Sequence, residues 1–472
     1  MLEGIEAIVF RTIGDPPSSW ETRLPPELLR LPEELARVDA LLDDPAFFAP
    51  FTPYFHPVLG RPSTPVECYL RLMFLKFRYR LGYESLCAEV SDSISWRRFC
   101  RIGLDGKVPH PTTLMKLTTR CGEAAVAGLN EALLARAAGA KLLRTARVRA
   151  DTTVISANVA YPTDSGLLAR AVGTLVRTAR WVQAAGGATG TAMTDRRRAA
   201  ARRVREIAGK LRSRAKLGRE ETTRAIRRVT GELAGLAETA VAQAAAVLRN
   251  GRRALPRAIG GRVRGRLRRA LNELTVTIER TAVIVAQTRG RLAGQMPDGA
   301  TRLVSLHDPE ARPIRKGRID RPVEFGYKAQ VTDNDDGIIL DYAVEYGAAP
   351  DGPQLTSTLT RVARRTGRMP RAVTADRRYG QPPVERDLRE LGVQTVAIPR
   401  QAPTSPSRKT IEHGCGFGRL VKWRTGCEGR ISYLKHRYSW DRTRLDGRHG
   451  AAIWCGHGVF THNLVKITAL AR

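Results

Sequence analysis

VTADRRYG, residues 373–380, is a short apolar run that ends on an acid and turns into a basic pair. Arg371–Asp376 reads as a buried strand, and an acid at the carboxyl end of such a strand faces the edge where α/β sheets place their chemistry. Upstream, Leu355–Ala363 has helical spacing. Downstream, Pro383–Leu391 reads as a helix closed by Gly392, and Val393–Ile398 as a further strand. Earlier still, Val323–Thr332 alternates, Asn334–Gly337 is a turn signal, and Ile338–Val344 completes a hairpin. Far upstream lies the first strand candidate, Ala146–Val154, carrying Asp151 within RADTTV (149–154). Thr425–Tyr438 is helical and carries Glu428, and an apolar helix runs from about Ala451 to Leu470. Strand, hairpin, helix, strand, helix, strand, helix is an α/β order built around a mixed sheet.

Taken singly, each acid has an ordinary explanation: a helix cap, a solvated loop residue, a surface glutamate. Their joint order is more specific. Asp151 on the first strand, Asp376 after the fourth and Glu428 on the helix after the fifth would gather at one sheet edge. Three hard oxygen ligands suit a pair of Mg²⁺ ions, one activating an attacking oxygen and the other stabilising the leaving one. Three neighbouring carboxylates also raise one another's pKa, so such a site is incomplete without metal.

The chain has 472 residues, enough for two to four domains, and a soluble composition with 42% hydrophobic and 26% charged residues. Its formal net charge of +33 calls for a polyanionic partner, and nucleic acid leads. No apolar run is long enough to span a bilayer, which excludes an integral membrane role. Met1–Pro17 lacks the pattern of a secretory signal. The seven cysteines are scattered without a Cys-x-x-Cys pair and read as reduced thiols of a cytoplasmic protein; Cys415, Cys427 and His413 lack the tight spacing of a zinc site.

Charge is unevenly spread. Residues 1–60 hold ten acids and four arginines, whereas residues 195–300 hold 26 basic and nine acidic residues. The boundaries that follow are an acidic leader (1–60), a helical N-terminal domain (61–141), a first core piece (142–165), a basic helical insertion (166–299) and a second core piece (300–472). Within the N-terminal domain, Val66–Leu81, Tyr83–Val90 and Ser95–Ile102 read as three helices. They are compatible with a helix-turn-helix reader of DNA and equally with a helical cap on the core. The insertion reads as several antiparallel helices with breaks at Gly186-Gly187 and from Gly251 to Gly265. Its sustained positive charge favours a surface for nucleic-acid backbone over a merely solvated face.

RADTTVISANVAYPTDSGLL (149–168), RPVEFGYKAQV (321–331), VTADRRYG and RTGCEGRISYLKHRYSWDRTRL (424–445) together resemble bacterial insertion-sequence transposases of the Asp-Asp-Glu type. The resemblance runs from about residue 45 to the end, and the segment from Pro62 to Ile102 is similar to the helical domain preceding the core in that family. It implies an α/β, RNase H-like mixed-sheet core interrupted by the Arg-rich insertion, with Asp151, Asp376 and Glu428 as catalytic metal ligands. It further implies two Mg²⁺ (or Mn²⁺) ions per site, nicking at transposon ends and strand transfer into target DNA. The family's third acid lies in Tyr-x2-Arg-x3-Glu-x6-Lys. Arg424, Glu428 and Lys435 match that spacing, while the tyrosine position is Val421, with Trp423 nearby.

By the same resemblance Arg424 and Lys435 hold terminal phosphates of double-stranded DNA, and Arg437, Arg442 and His436 add positive charge beside them. Tyr327 and Lys328 are candidates for the DNA channel, and Asn158, Thr163 and Asp164 for the exit of the first strand. A homodimer or larger assembly, holding the two terminal inverted repeats, is implied as well. The rival readings are a nuclease of the same fold that cuts without joining and a catalytically inactive DNA-binding relative.

Overall fold

The computed structural model describes residues 8–10, 25–28, 30–213, 218–316, 322–347 and 349–471. Much of the acidic leader (1–7, 11–24 and 29) lies outside these residues, as do Arg321 and neighbouring positions before the expected hairpin. The chain forms two compact units: residues 1–157, 327–345 and 349–472 make the first, and 158–326 with 346–348 the second.

The first unit opens with helices α1 (Glu33–Leu42), α2 (Val66–Arg78), α3 (Tyr83–Asp92), α4 (Ile94–Phe99) and α5 (Pro111–Gly139), which lead into strand β1 (Arg147–Ser156). The second unit contributes α6 (Asp164–Ala184), α7 (Arg197–Arg212), α8 (Arg219–Ala254), α9 (Gly261–Leu292) and β2 (Arg312–Arg315), which pairs antiparallel with the first residues of β3 (Val323–Asp333). The first unit then continues with β4 (Ile339–Glu345), α10 (Asp351–Thr366), β5 (Ala372–Ala375), α11 (Pro382–Glu390), β6 (Thr395–Ala397), α12 (Pro406–His413), α13 (Cys415–Arg437) and α14 (Gly447–Leu470).

The sheet order across the first unit is β4-β3-β1-β5-β6. β4 runs antiparallel to β3, and β1, β5 and β6 are mutually parallel, so the expected mixed sheet is present. β5 is buried throughout, which explains why VTA is a plain apolar run rather than an alternating one. The long sequence interval between β1 and β3 is filled by α6–α9, so the insertion falls between the first two central strands.

The N-terminal helices share one hydrophobic cluster with the sheet instead of standing apart: Leu70, Phe74 and Phe77 of α2 join Val148, Val373 and Trp454. The cause is α14. It is buried along nearly its whole length, and Gly456 lets Tyr342 and Val126 approach closer than any Cβ would permit. Twelve of the 13 residues of α2 are buried. On α4, Arg97 donates to the carbonyls of Ser91, Gly103 and Gly106, and Trp96 lies against Tyr79. Of the two readings of these helices, the packed cap agrees with this burial, because α4's Arg97 is spent on its own backbone.

In the second unit α8 and α9 form an antiparallel hairpin. The break expected between Gly251 and Gly265 is present, and it begins after Gly251, which α8 runs through. A Cβ there would sit 2.8 Å from Leu271, so this glycine serves close helix packing and the chain turns only at 255–260.

Candidate active site at the sheet edge

β1 and β5 pair in parallel through Arg147↔Ala372, Val148↔Val373, Arg149↔Thr374 and Ala150↔Ala375. One residue further along each chain come Asp151 and Asp376. The register thus delivers two carboxylates side by side where the ladder ends, on strands spaced about 5 Å apart. Asp376 closes β5 and opens the short turn Arg377–Tyr379.

Glu428 reaches the same edge from α13. Cys427, Ile431 and Leu434 are the buried residues of this helix, at spacings of four and three, so they define its inward face. Glu428 lies beside that face with its side chain 60% exposed, whereas that of Asp151 is 13% exposed. Arg424, one turn before Glu428, joins the two acids: its guanidinium donates to Glu428 Oε1 at 2.9 Å and to Asp151 Oδ2 at 3.4 Å.

Burial pushes the Asp151 carboxyl up to about 6, and Asp376 and Glu428 push in the same direction. The Thr152 amide, which donates to Oδ1 at 2.7 Å, and Arg424 oppose the rise. Asp376 and Glu428 therefore both lie close enough to act on Asp151. Among the described residues, however, no group of three His, Cys, Asp or Glu side chains stands ready to hold a metal ion. Glu428 is turned toward Arg424, whose positive charge lies between two of the acids. The donor chemistry, carboxylate oxygens on a sheet edge, suits a hard divalent cation.

The remaining candidates take distinct places. Lys435 donates to the Val154 carbonyl of β1 at 2.8 Å, so it ties α13 to the strand carrying Asp151. Arg437 is exposed. Arg442 is exposed too, and its backbone bridges to Ser156 at the end of β1. Val421 is half-buried, and Trp423 lies under the guanidinium groups of Arg147 and Arg149 at 5.2 and 4.7 Å, stacked against protein. Tyr327 is fully buried, and Lys328 is buried and paired with Asp351, so neither lines a channel. Asp164 and Thr163 belong to the second unit, where the Thr163 hydroxyl caps α6 by accepting from the Gly166 amide.

A network that the sequence reading missed fastens α13 to the sheet. Arg149, on the same face of β1 as Asp151, makes a paired contact with Asp333 at the end of β3, Nε to Oδ1 at 2.7 Å and Nη2 to Oδ2 at 2.9 Å. Its Nη1 donates to the Trp423 carbonyl at 2.8 Å, and Arg430 adds a contact to Asp333 at 3.3 Å. Asp333 is completely buried. Gly426 makes the arrangement possible, because a Cβ there would lie 2.8 Å from Arg149 Cζ and closer still to Nη1. The strand-end criterion that selects Asp376 selects Asp333 equally well; its place in a run of turn residues hid it.

The strand-and-helix platform that brings Asp151, Asp376 and Glu428 toward one edge belongs to a strongly basic chain. Two family models match the chain: "Transposase domain (DUF772)" over residues 23–120 and "Transposase DDE domain" over residues 305–464. No curated protein and no solved structure shows significant similarity to it. The chain belongs to the insertion-sequence transposases of the DDE type. The second match contains Asp376 and Glu428; Asp151 lies outside both and joins the site through its strand register with β5. DDE transposases generally use divalent metal ions. No helix among the described residues is long and apolar enough to cross a membrane.

Proposed function

We propose that the protein nicks double-stranded DNA at the ends of its own element and joins the freed 3′-hydroxyl to target DNA. The observation that carries this reading is the β1–β5 register, which puts Asp151 and Asp376 side by side with Glu428 reaching in from α13. The sheet order β4-β3-β1-β5-β6, with the first acid on the central strand, supports assignment of the core as RNase H-like.

Asp151, Asp376 and Glu428 are the residues that would hold Mg²⁺ or Mn²⁺, two ions per site, which when bound supply charge stabilisation and an activated oxygen nucleophile. The protein's own part is positioning. Arg149, Asp333 and Lys435 hold α13 against β1 and so set where Glu428 lies relative to Asp151. Arg424 offsets the charge of Asp151 and Glu428 to which it is bonded; with those acids holding a cation, its guanidinium would be available to a DNA phosphate. Arg437 and Arg442, both exposed, lie ready for backbone phosphates. Two protomers, one at each inverted repeat, complete the assembly.

A strand-transfer assay tests the reading. A duplex carrying the element's end is incubated with a supercoiled target plasmid and Mg²⁺. Joined product is expected. Nicked donor without joined product would show a nuclease, and binding without nicking a protein that only binds DNA.

A further inference from the structure

The positive charge of the second unit is not uniform, and its distribution marks one end of the α8–α9 hairpin. Along the middle of α8, and opposite it near the end of α9, acids compensate the arginines. Glu232 pairs with Arg203 and Arg228, and Glu238 holds Arg289 through both carboxylate oxygens. At the other end the pattern reverses. Residues 249–269 contain nine arginines and no acid, and all nine are exposed. No ion pair reaches any of them among the described residues; Arg252 donates to the Thr275 hydroxyl and Arg264 to the Ala258 carbonyl. Nine guanidinium groups held on two helix ends without counter-charge repel one another, and only an anionic partner removes that cost.

The same tip carries apolar surface. Ile259, in the turn between the helices, is 91% exposed, and Val263 in the first turn of α9 is 48% exposed. Gly260, at positive φ, turns the chain there, and no side chain caps the first turn of α9. α8, at 36 residues, spans about 54 Å and packs with α6 and α9, so the tip lies at one end of a helical bundle.

We infer that the α8–α9 tip is a docking surface for duplex DNA, with Arg262, Arg266 and Arg269, which share one face of α9, on backbone phosphates and Ile259 pressed into a groove beside them. The inference rests on the DNA-processing role proposed above and assigns the insertion its part. An exposed aliphatic side chain flanked by arginines is the combination by which proteins hold a minor groove and open a base step. Because the contacts are to phosphate and shape, the tip grips DNA of any sequence.

The test uses the full chain and a 40-base-pair duplex of arbitrary sequence, with the dissociation constant measured over a series of salt concentrations. Each phosphate contact contributes about 0.9 to the slope of log affinity against log salt. Replacing Arg262, Arg266 and Arg269 together by Gln should flatten the slope by about 2.7 without lowering the melting temperature, because all three are solvent-exposed and their loss relieves repulsion at the tip. Ile259→Ser should weaken binding several-fold without changing the slope. A triple variant with the wild-type slope overturns the assignment while leaving the proposed chemistry standing. A wild-type chain that binds no duplex removes the DNA-processing role itself. Binding to phosphatidylglycerol vesicles that depends on the tip, with duplex binding that does not, would make it a membrane contact and also overturns the inference. If Ile259→Ser binds as wild type, the apolar contact is withdrawn.

Discussion

A single methyl group on α13 should act in opposite directions at two positions three residues apart. Gly426 and Gly429 both lie in the interior of the helix, where glycine costs about 1 kcal/mol relative to alanine. At Gly429 a Cβ would meet nothing within 4 Å, so Gly429→Ala should stabilise by about that amount. At Gly426 the added carbon would overlap Arg149 Nη1 and lie 2.8 Å from its Cζ. A free arginine would swing aside at little cost. This one is bonded to both oxygens of Asp333 and to the Trp423 carbonyl, with its side chain only 7% exposed. Moving it forfeits at least one charge-assisted hydrogen bond, about 1.5–3 kcal/mol, and adds about 1–3 kcal/mol of overpacking. Set against the gain in helix propensity, Gly426→Ala should destabilise by roughly 2–4 kcal/mol. Because the same shift moves α13 relative to β1, DNA nicking should fall as well. Thermal melting of the two variants beside the wild type gives the comparison. If Gly426→Ala melts at or above Gly429→Ala, Arg149 is not the rigid clamp described here.

Asp333→Asn should lower stability by about 3–5 kcal/mol, since it leaves Arg149 buried without its counter-charge, whereas the Arg149→Met, Asp333→Leu double variant should recover much of the loss; denaturant or thermal unfolding distinguishes the two. Without metal, the raised pKa of Asp151 makes its ionised form a liability: wild type should lose stability relative to Asp151→Asn as pH rises from about 3.8 through about 6, the gap reaching about 3 kcal/mol at neutral pH and vanishing in acid, as read from melts in EDTA across that range. Arg424→Gln removes the positive charge that opposes this rise, so the same melts should place the transition at higher pH.

The course of the core was legible because its signals are local. Alternation over Val323–Thr332 with the Asn334–Gly337 turn marks the hairpin, and the apolar run before Asp376 marks a doubly covered strand. The spacing of Arg424, Glu428 and Lys435 places one helix. Other features left no such trace. α13 begins at Cys415, ten residues before the expected start: Gly416 and Gly418, poor helix formers, masked its first turns. α12 carries a start signal that passed unused: Ser405 accepts from the Arg408 amide and Pro406 opens the helix. β2 contains a proline between arginines and shows no alternation. The Arg149–Asp333–Arg430 network joins residues far apart in sequence, and nothing in the local pattern of any of the three announces its partners. Lys435 was legible as a motif residue, but its bond to the Val154 carbonyl was not.

Joint action of Asp151, Asp376 and Glu428 as the catalytic carboxylates is tested most directly by Mg²⁺-dependent nicking of the element's end duplex by Asp151→Asn, Asp376→Asn and Glu428→Gln, each compared with wild type at equal bound DNA. All three variants should bind the duplex and none should nick it above background. Nicking at the wild-type rate by any one of them would remove that residue from the site and contradict the account.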